Sequence, residues 1–209
     1  VAPSRIARAR VVLLDLLGRL EDHRVGLVAF AGSGAPLLPI TRDTDAARMF
    51  VDQIAVQAVD EPGTALGRGV EQAVELFDAA AEGERVLVVV SDGEDHAADP
   101  FEVARSAAAV ARGAEIAVVA LAVVEEAGAQ IPLDALGSET VKRGPTGAPA
   151  MTRVRPDVLA ELAADGLLVH GGGDEAERIA AFVDGAGKGV RAAGDRTVVP
   201  ERFQLPLLV

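Results

Sequence analysis

Three apolar runs limit what this chain can fold into: Arg24-Val25-Gly26-Leu27-Val28-Ala29-Phe30-Ala31, Arg85-Val86-Leu87-Val88-Val89-Val90, and residues 115–123 (EIAVVALAV). Each has the length of a strand and lacks the apolar/polar alternation of a half-exposed one. Strands apolar on both faces belong to a parallel sheet covered by helices on both sides. Helical spacing fills the intervals. The first helix is predicted over 4–20, with Pro3 before it and Ser4 as its cap, and Ile6, Leu13, Leu16, Leu17 and Leu20 on one face. Further helices are predicted over 43–54, 65–80, 99–113, 156–164 and 174–183. A short strand is expected over 167–170, and Gly32-Ser33-Gly34 lets 35–40 return as an antiparallel edge strand. Residues 127–155 read as irregular, with a small hairpin pairing Val141-Lys142-Arg143 and Met151-Thr152-Arg153-Val154. Strand and helix in alternation imply an α/β fold, Rossmann-like, with a mostly parallel central sheet and right-handed crossovers.

Composition narrows the chemistry. With 209 residues, 50% of them apolar, the chain can bury the core of one domain. Aromatics are only 3%, so that core is built from Ala, Val, Leu and Ile. A net charge of −12 with no basic stripe argues against nucleic acid as a partner. Having no Cys, the chain offers no disulfide, thiolate nucleophile or thiolate zinc site. No stretch of about 18 apolar residues spans a membrane by itself. The closing run Phe203-Gln204-Leu205-Pro206-Leu207-Leu208-Val209 reads either as a buried strand or, the reading preferred here, as the start of a transmembrane segment.

In an open parallel sheet, ligands sit at the carboxyl ends of the strands. Two loops meet there: one ending Gly63-Thr64, the other Ser91-Asp92-Gly93-Glu94-Asp95-His96. Asp92 follows the most apolar strand, where a carboxylate is costly unless it meets a cation or hydrogen-bond donors. It can equally be part of a solvated acidic turn. Thr64 sits where a threonine caps a helix. As a pair, a hydroxyl and a carboxylate on one rim are hard oxygen ligands of the kind that hold Mg²⁺.

The blocks Arg24-Val25-Gly26-Leu27-Val28-Ala29-Phe30-Ala31-Gly32, Gly63-Thr64-Ala65-Leu66-Gly67 and Val90-Ser91-Asp92-Gly93-Glu94-Asp95, in that order, resemble those of bacterial von Willebrand factor A-type (VWA) domains. Within that family the chain is similar to the membrane-anchored Bat-type aerotolerance proteins, over roughly residues 3 to 184. The resemblance implies a Rossmann-like fold and a metal-ion-dependent adhesion site with Thr64 and Asp92 as ligands of Mg²⁺ or Mn²⁺. Gly63, Ser91, Gly93 and Glu94 would shape its loops. It also implies that the cation receives an acidic side chain from a partner protein. The family's Asp-x-Ser-x-Ser motif is absent from this sequence; Asp15-Leu16-Leu17 is mid-helix and does not fit. By resemblance the motif and its strand belong upstream of Val1, and that strand is central in the sheet. The expectation is therefore a gap between the 24–31 and 85–90 strands, an unstable chain and weak Mg²⁺ binding.

By the same resemblance, residues 1–186 form the VWA domain, and 187–209 a connector and the start of the membrane segment. The domain would face the periplasm, anchored in a bacterial inner membrane by segments outside this chain. The function expected is partner binding and not catalysis, with a metal-independent VWA scaffold as the alternative. Enzymatic readings find less support. Gly32-Ser33-Gly34 is no nucleophile elbow. His23, His96 and His170 are scattered, and neither Gly63 to Gly69 nor Gly171-Gly172-Gly173 is a dinucleotide fingerprint. A Mg²⁺-dependent phosphotransfer enzyme would need an acidic nucleophile that this sequence does not show.

Overall fold

The apolar runs become β1 (Arg24–Phe30), β3 (Arg85–Ser91) and β4 (Ile116–Ala122), each with five or six buried residues. The structure, a computed structural model, describes residues 5–54, 63–79, 83–95, 97–123, 129–130, 151–152, 154–191 and 204–208. β2 (Gly34–Thr41) returns antiparallel to β1 at the sheet edge, and β7 (Leu167–His170) pairs parallel to β4. The helices are α1 (Arg5–Arg19), α2 (Thr44–Gln53), α3 (Leu66–Asp78), α4 (Pro100–Gly113), α5 (Pro156–Leu162) and α6 (Glu175–Arg191). The fold class is the one expected, with helices on both faces of a mainly parallel sheet.

Period-two geometry sorts the core. Val86, Val88 and Val90 point to a layer made of Leu13, Leu16 and Leu17 of α1, Val51 of α2, and Ile179 and Val183 of α6. Leu87 and Val89 point the other way, to Val70 and Phe77 of α3, Ala104 and Ala111 of α4, and Val158 and Leu162 of α5. The alanines of α4 set that helix close to the sheet, as a core poor in aromatics requires. Gly166 lets the α5–β7 turn pass β4: a Cβ there would lie 1.8 Å from the Val118 carbonyl oxygen.

Between β1 and β3 lies β8 (Gln204–Leu208), parallel to both, in a sheet of order β2-β1-β8-β3-β4-β7. The gap expected at this place is filled, and the run expected to begin a membrane segment at Phe203 supplies the strand. The physical reason is that two parallel, apolar strand edges leave rows of N–H and C=O groups that a buried sheet cannot leave unpaired. The fit is imperfect. β8 pairs along β1 from Arg24↔Gln204 to Val28↔Leu208, but along β3 only at Arg85↔Gln204, Val88↔Leu207 and Val89↔Leu208. The ladder to β3 lapses opposite Leu205 and Pro206, and proline has no N–H to give.

Two other expectations change. Met151–Thr152 (β6) pairs with Ala129–Gln130 (β5), a partner the sequence reading did not propose; residues 141–143 lie outside the described residues. α6 continues past Gly185 to Arg191, so the helix runs beyond residue 186, where the connector was expected to begin. No helix among the described residues is long and apolar enough to cross a membrane.

Ion pairs tie α1 to α6: Arg8 Nη2 lies 3.1 Å from Glu175 Oε1, and Arg19 Nη1 3.9 Å from Glu177 Oε2. Burial of Glu175 disfavours its charge. Its own backbone N–H, the Arg8 hydrogen bond and the Arg8 charge outweigh that and hold the carboxyl below the usual carboxylate range. A carboxyl whose folded value is depressed contributes stability above its unfolded value, near about 4.3. That contribution is lost as pH falls through the folded value. Glu175→Gln is therefore expected to lower the urea midpoint at neutral pH, with the difference from wild type shrinking below about pH 4. Urea denaturation of both proteins across pH 3 to 7 checks it.

Candidate functional site

β1, β3 and β4 end on one rim, and backbone hydrogen bonds fasten its loops. Ala65 N–H donates to the Ala31 carbonyl at 2.6 Å, joining the loop before α3 to the end of β1. Val123 N–H donates to the Ser91 carbonyl at 3.1 Å, and Arg155 N–H to the Asp92 carbonyl at 2.6 Å, joining β3's exit to β4 and to the start of α5.

The Ser91-to-Asp95 loop is wound on its own side chains. Ser91 Oγ accepts from Gly93 N at 3.1 Å, and Asp92 Oδ1 from Glu94 N at 3.0 Å. Gly93 has φ +76°, and a Cβ on it would lie 2.3 Å from the Arg155 carbonyl oxygen. Only glycine fits that backbone without strain. Asp92 is half-buried, and its second oxygen, Oδ2, accepts from Arg5 Nη1 at 2.6 Å. Arg5 is the first residue of α1. A charge-assisted pair this short, with the two side chains 17% and 24% exposed, is the strongest local feature of Asp92's surroundings.

Arg155 forms the next part of the rim. It holds Asp157 in a forked contact at 3.0 Å, and its guanidinium lies 5.3 Å from the centre of the Phe101 ring. The hydrogen bond from Arg155 holds the Asp157 carboxyl below the usual range. Glu94, beside it, adds to the charges favouring the arginine's cation.

Gly63 and Thr64 lead into α3 as expected, and the N-cap position of α3 is Ala65, whose side chain makes no capping hydrogen bond. Asp95 caps the helix from across the rim: its Oδ2 accepts from Leu66 N at 2.9 Å and its Oδ1 from Ala97 N at 2.8 Å. Thr64 and Asp95 line one open depression of about 480 Å³ with Arg68, Glu71 and Val103; Asp92 is not among its lining residues. Thr64 and Asp92 are thus on one rim, each with a different neighbour. His96 lies outside the described residues, and His170 is exposed at the end of β7.

Sequence reasoning placed Asp95 on this rim within the Ser91-to-His96 loop but did not foresee its contact with the start of α3. It missed Arg5 and Arg155, which are distant in sequence from every block. Asp95→Ala is expected to cost about 1 kcal/mol through loss of the α3 cap. Gly93→Ala is expected to cost about 1–3 kcal/mol through the forced positive φ and the collision with Arg155. Urea denaturation of the two variants against wild type measures both.

A match to the von Willebrand factor type A domain family runs over residues 1–143. Among solved structures, a conserved hypothetical protein, BatB, from Bacteroides thetaiotaomicron is 30% identical with a TM-score of 0.77, over 90% of this chain and 91% of that one. An aerotolerance-related membrane protein from Bacteroides fragilis, crystallised with multiple mutations to serines, is 29% identical with a TM-score of 0.76, over 90% of each chain. An uncharacterised protein of Borreliella burgdorferi is 28% identical over 90 residues, which are 43% of this chain and 26% of that protein, so the chain spans about a quarter of that relative's length. With a family match over well more than half its residues and Bat-type structures at this similarity, the chain belongs to the von Willebrand factor type A domain family.

Proposed function

We propose that this chain is a protein-binding module without catalytic activity, and that its docking face is the rim carrying Thr64, Asp92 and Glu94. VWA domains commonly mediate protein–protein contacts, and the loops of this rim are held by backbone and side-chain hydrogen bonds. The two relatives with Bat-type descriptions support a place at a bacterial membrane. In this proposal the domain lies on the periplasmic side, anchored through segments outside this chain.

The observation that supports a metal-independent form of binding is the Arg5–Asp92 pair at 2.6 Å. The resemblance calls for Mg²⁺ or Mn²⁺ held by Thr64 and Asp92. Mg²⁺ demands near-octahedral oxygen geometry and is ill served by a single carboxylate already neutralised by a guanidinium. Among the described residues no group of three or more His, Cys, Asp or Glu is placed to hold a metal ion. The donor set seen does not fit the cation, so the metal-independent form of partner binding is the reading adopted. A cation-bridged contact would need Arg5 to leave Asp92 and further oxygen ligands to arrive.

A photo-crosslinking residue tests this in cells of the native host, placed either at Glu94 on the rim or at Asp22 in the turn before β1, at the sheet's opposite end. The expected result is a discrete crosslinked protein from the Glu94 position that is absent from the Asp22 position and unchanged by EDTA. Equal crosslinking from both ends argues against rim docking. Loss with EDTA and return with Mg²⁺ restores the cation-bridged reading.

A further inference from the structure

We infer that Arg5 is the resident cation of Asp92, a specificity-determining residue that closes this rim position to divalent metal ions. Both carboxylate oxygens of Asp92 are engaged, Oδ2 by the Arg5 guanidinium at 2.6 Å and Oδ1 by the Glu94 N–H at 3.0 Å. A dication binding at Asp92 must either displace that guanidinium or sit against it. Sitting against it sets like charges a few ångströms apart in a half-buried setting, where screening by water is weak. Displacing it leaves a half-buried arginine to find new partners or water. Arg5 is positioned from a separate element: α1 is pinned by buried Leu13, Leu16 and Leu17 and by the Arg8–Glu175 pair, so its first turn is held at the β3 exit. The metal ion of the family's site is here replaced in charge by a side chain. The arginine is a monovalent cation built into the chain, so the rim's charge at this place does not vary with metal supply.

This inference concerns Asp92 and Arg5 alone and is independent of whether a partner docks on the rim. It predicts weak metal binding from a cause that differs from the absence of an Asp-x-Ser-x-Ser motif in this sequence. If the missing motif alone were responsible, removing Arg5 would change nothing.

The experiment is titration of the whole chain with Mn²⁺, read by the electron paramagnetic resonance signal of the free ion, for wild type, Arg5→Gln, Arg5→Lys and the Arg5→Gln/Asp92→Asn double variant. Circular dichroism confirms that each is folded. The expected result is Mn²⁺ binding at least about tenfold tighter in Arg5→Gln than in wild type, a difference of about 1.4 kcal/mol. The double variant loses the gain, and Arg5→Lys, which keeps the charge, stays near wild type. Equal binding by wild type and Arg5→Gln overturns the inference, as does a gain that survives Asp92→Asn. A second measurement on the wild-type chain stands even if the variants unfold. Mn²⁺ in excess is expected to leave the Gly93 and Glu94 amide NMR signals sharp, and selective broadening of those signals overturns the inference directly.

Discussion

A parallel strand in mid-sheet has to be paired on both sides, and the whole molecule follows from how that demand is met between β1 and β3. Both strands are apolar along their length and covered by helices on each face. Water cannot reach their backbone groups, so whatever lies between them must supply donors and acceptors in register. β8 supplies them, without a break from Arg24 to Val28 of β1 and with a lapse along β3 at Leu205 and Pro206. With the sheet continuous, the ends of β1, β3 and β4 stand in line, and the loops that follow them are brought to one rim.

The rim has its own internal logic. Its loops are fixed by backbone bonds and by side chains that cap backbone donors, so most of its acidic residues have structural partners. Asp95 caps α3, Asp92 accepts from the loop and from Arg5, and Asp157 grips Arg155. An acidic rim in a chain of net charge −12 would repel itself if it were left uncompensated. Arg5 and Arg155 compensate it, one from the first turn of α1 and one from the threshold of α5. The arrangement suits a surface of constant shape and charge offered to a partner. Among the described residues no group of three or more His, Cys, Asp or Glu side chains is placed to hold a metal ion.

Much of this was legible in the sequence because it is local. The apolar runs at 24–31, 85–90 and 115–123 gave strands within a residue of their observed ends, and the helix expected over 99–113 is α4, Pro100–Gly113. Ser91, Asp92, Gly93 and Glu94 lie at the carboxyl end of β3, where a parallel sheet collects its loops, and Gly63 and Thr64 reach the same side through the Ala65–Ala31 hydrogen bond. What escaped was long-range. Arg5 and Asp92 are 87 positions apart, and no pattern in either segment refers to the other. Gln204–Leu208 reads as an apolar run with a proline, a composition that disfavours a central strand, and only the unmet pairing of β1 and β3 selects it. The pairing of Met151–Thr152 with Ala129–Gln130 joins two dipeptides too short to carry a signal.

Sheet closure through β8 is what places the rim, the α1–α6 layer and the Arg5–Asp92 pair in one framework. Amide hydrogen exchange followed by NMR tests it most directly, comparing Leu207 and Leu208 with their β3 partners Val88 and Val89. The expected result is slow exchange at all four amides, with Leu207 and Leu208 opening only in the global unfolding of the domain. Exchange at Leu207 and Leu208 as fast as in an unstructured chain, while Val88 and Val89 remain protected, contradicts it.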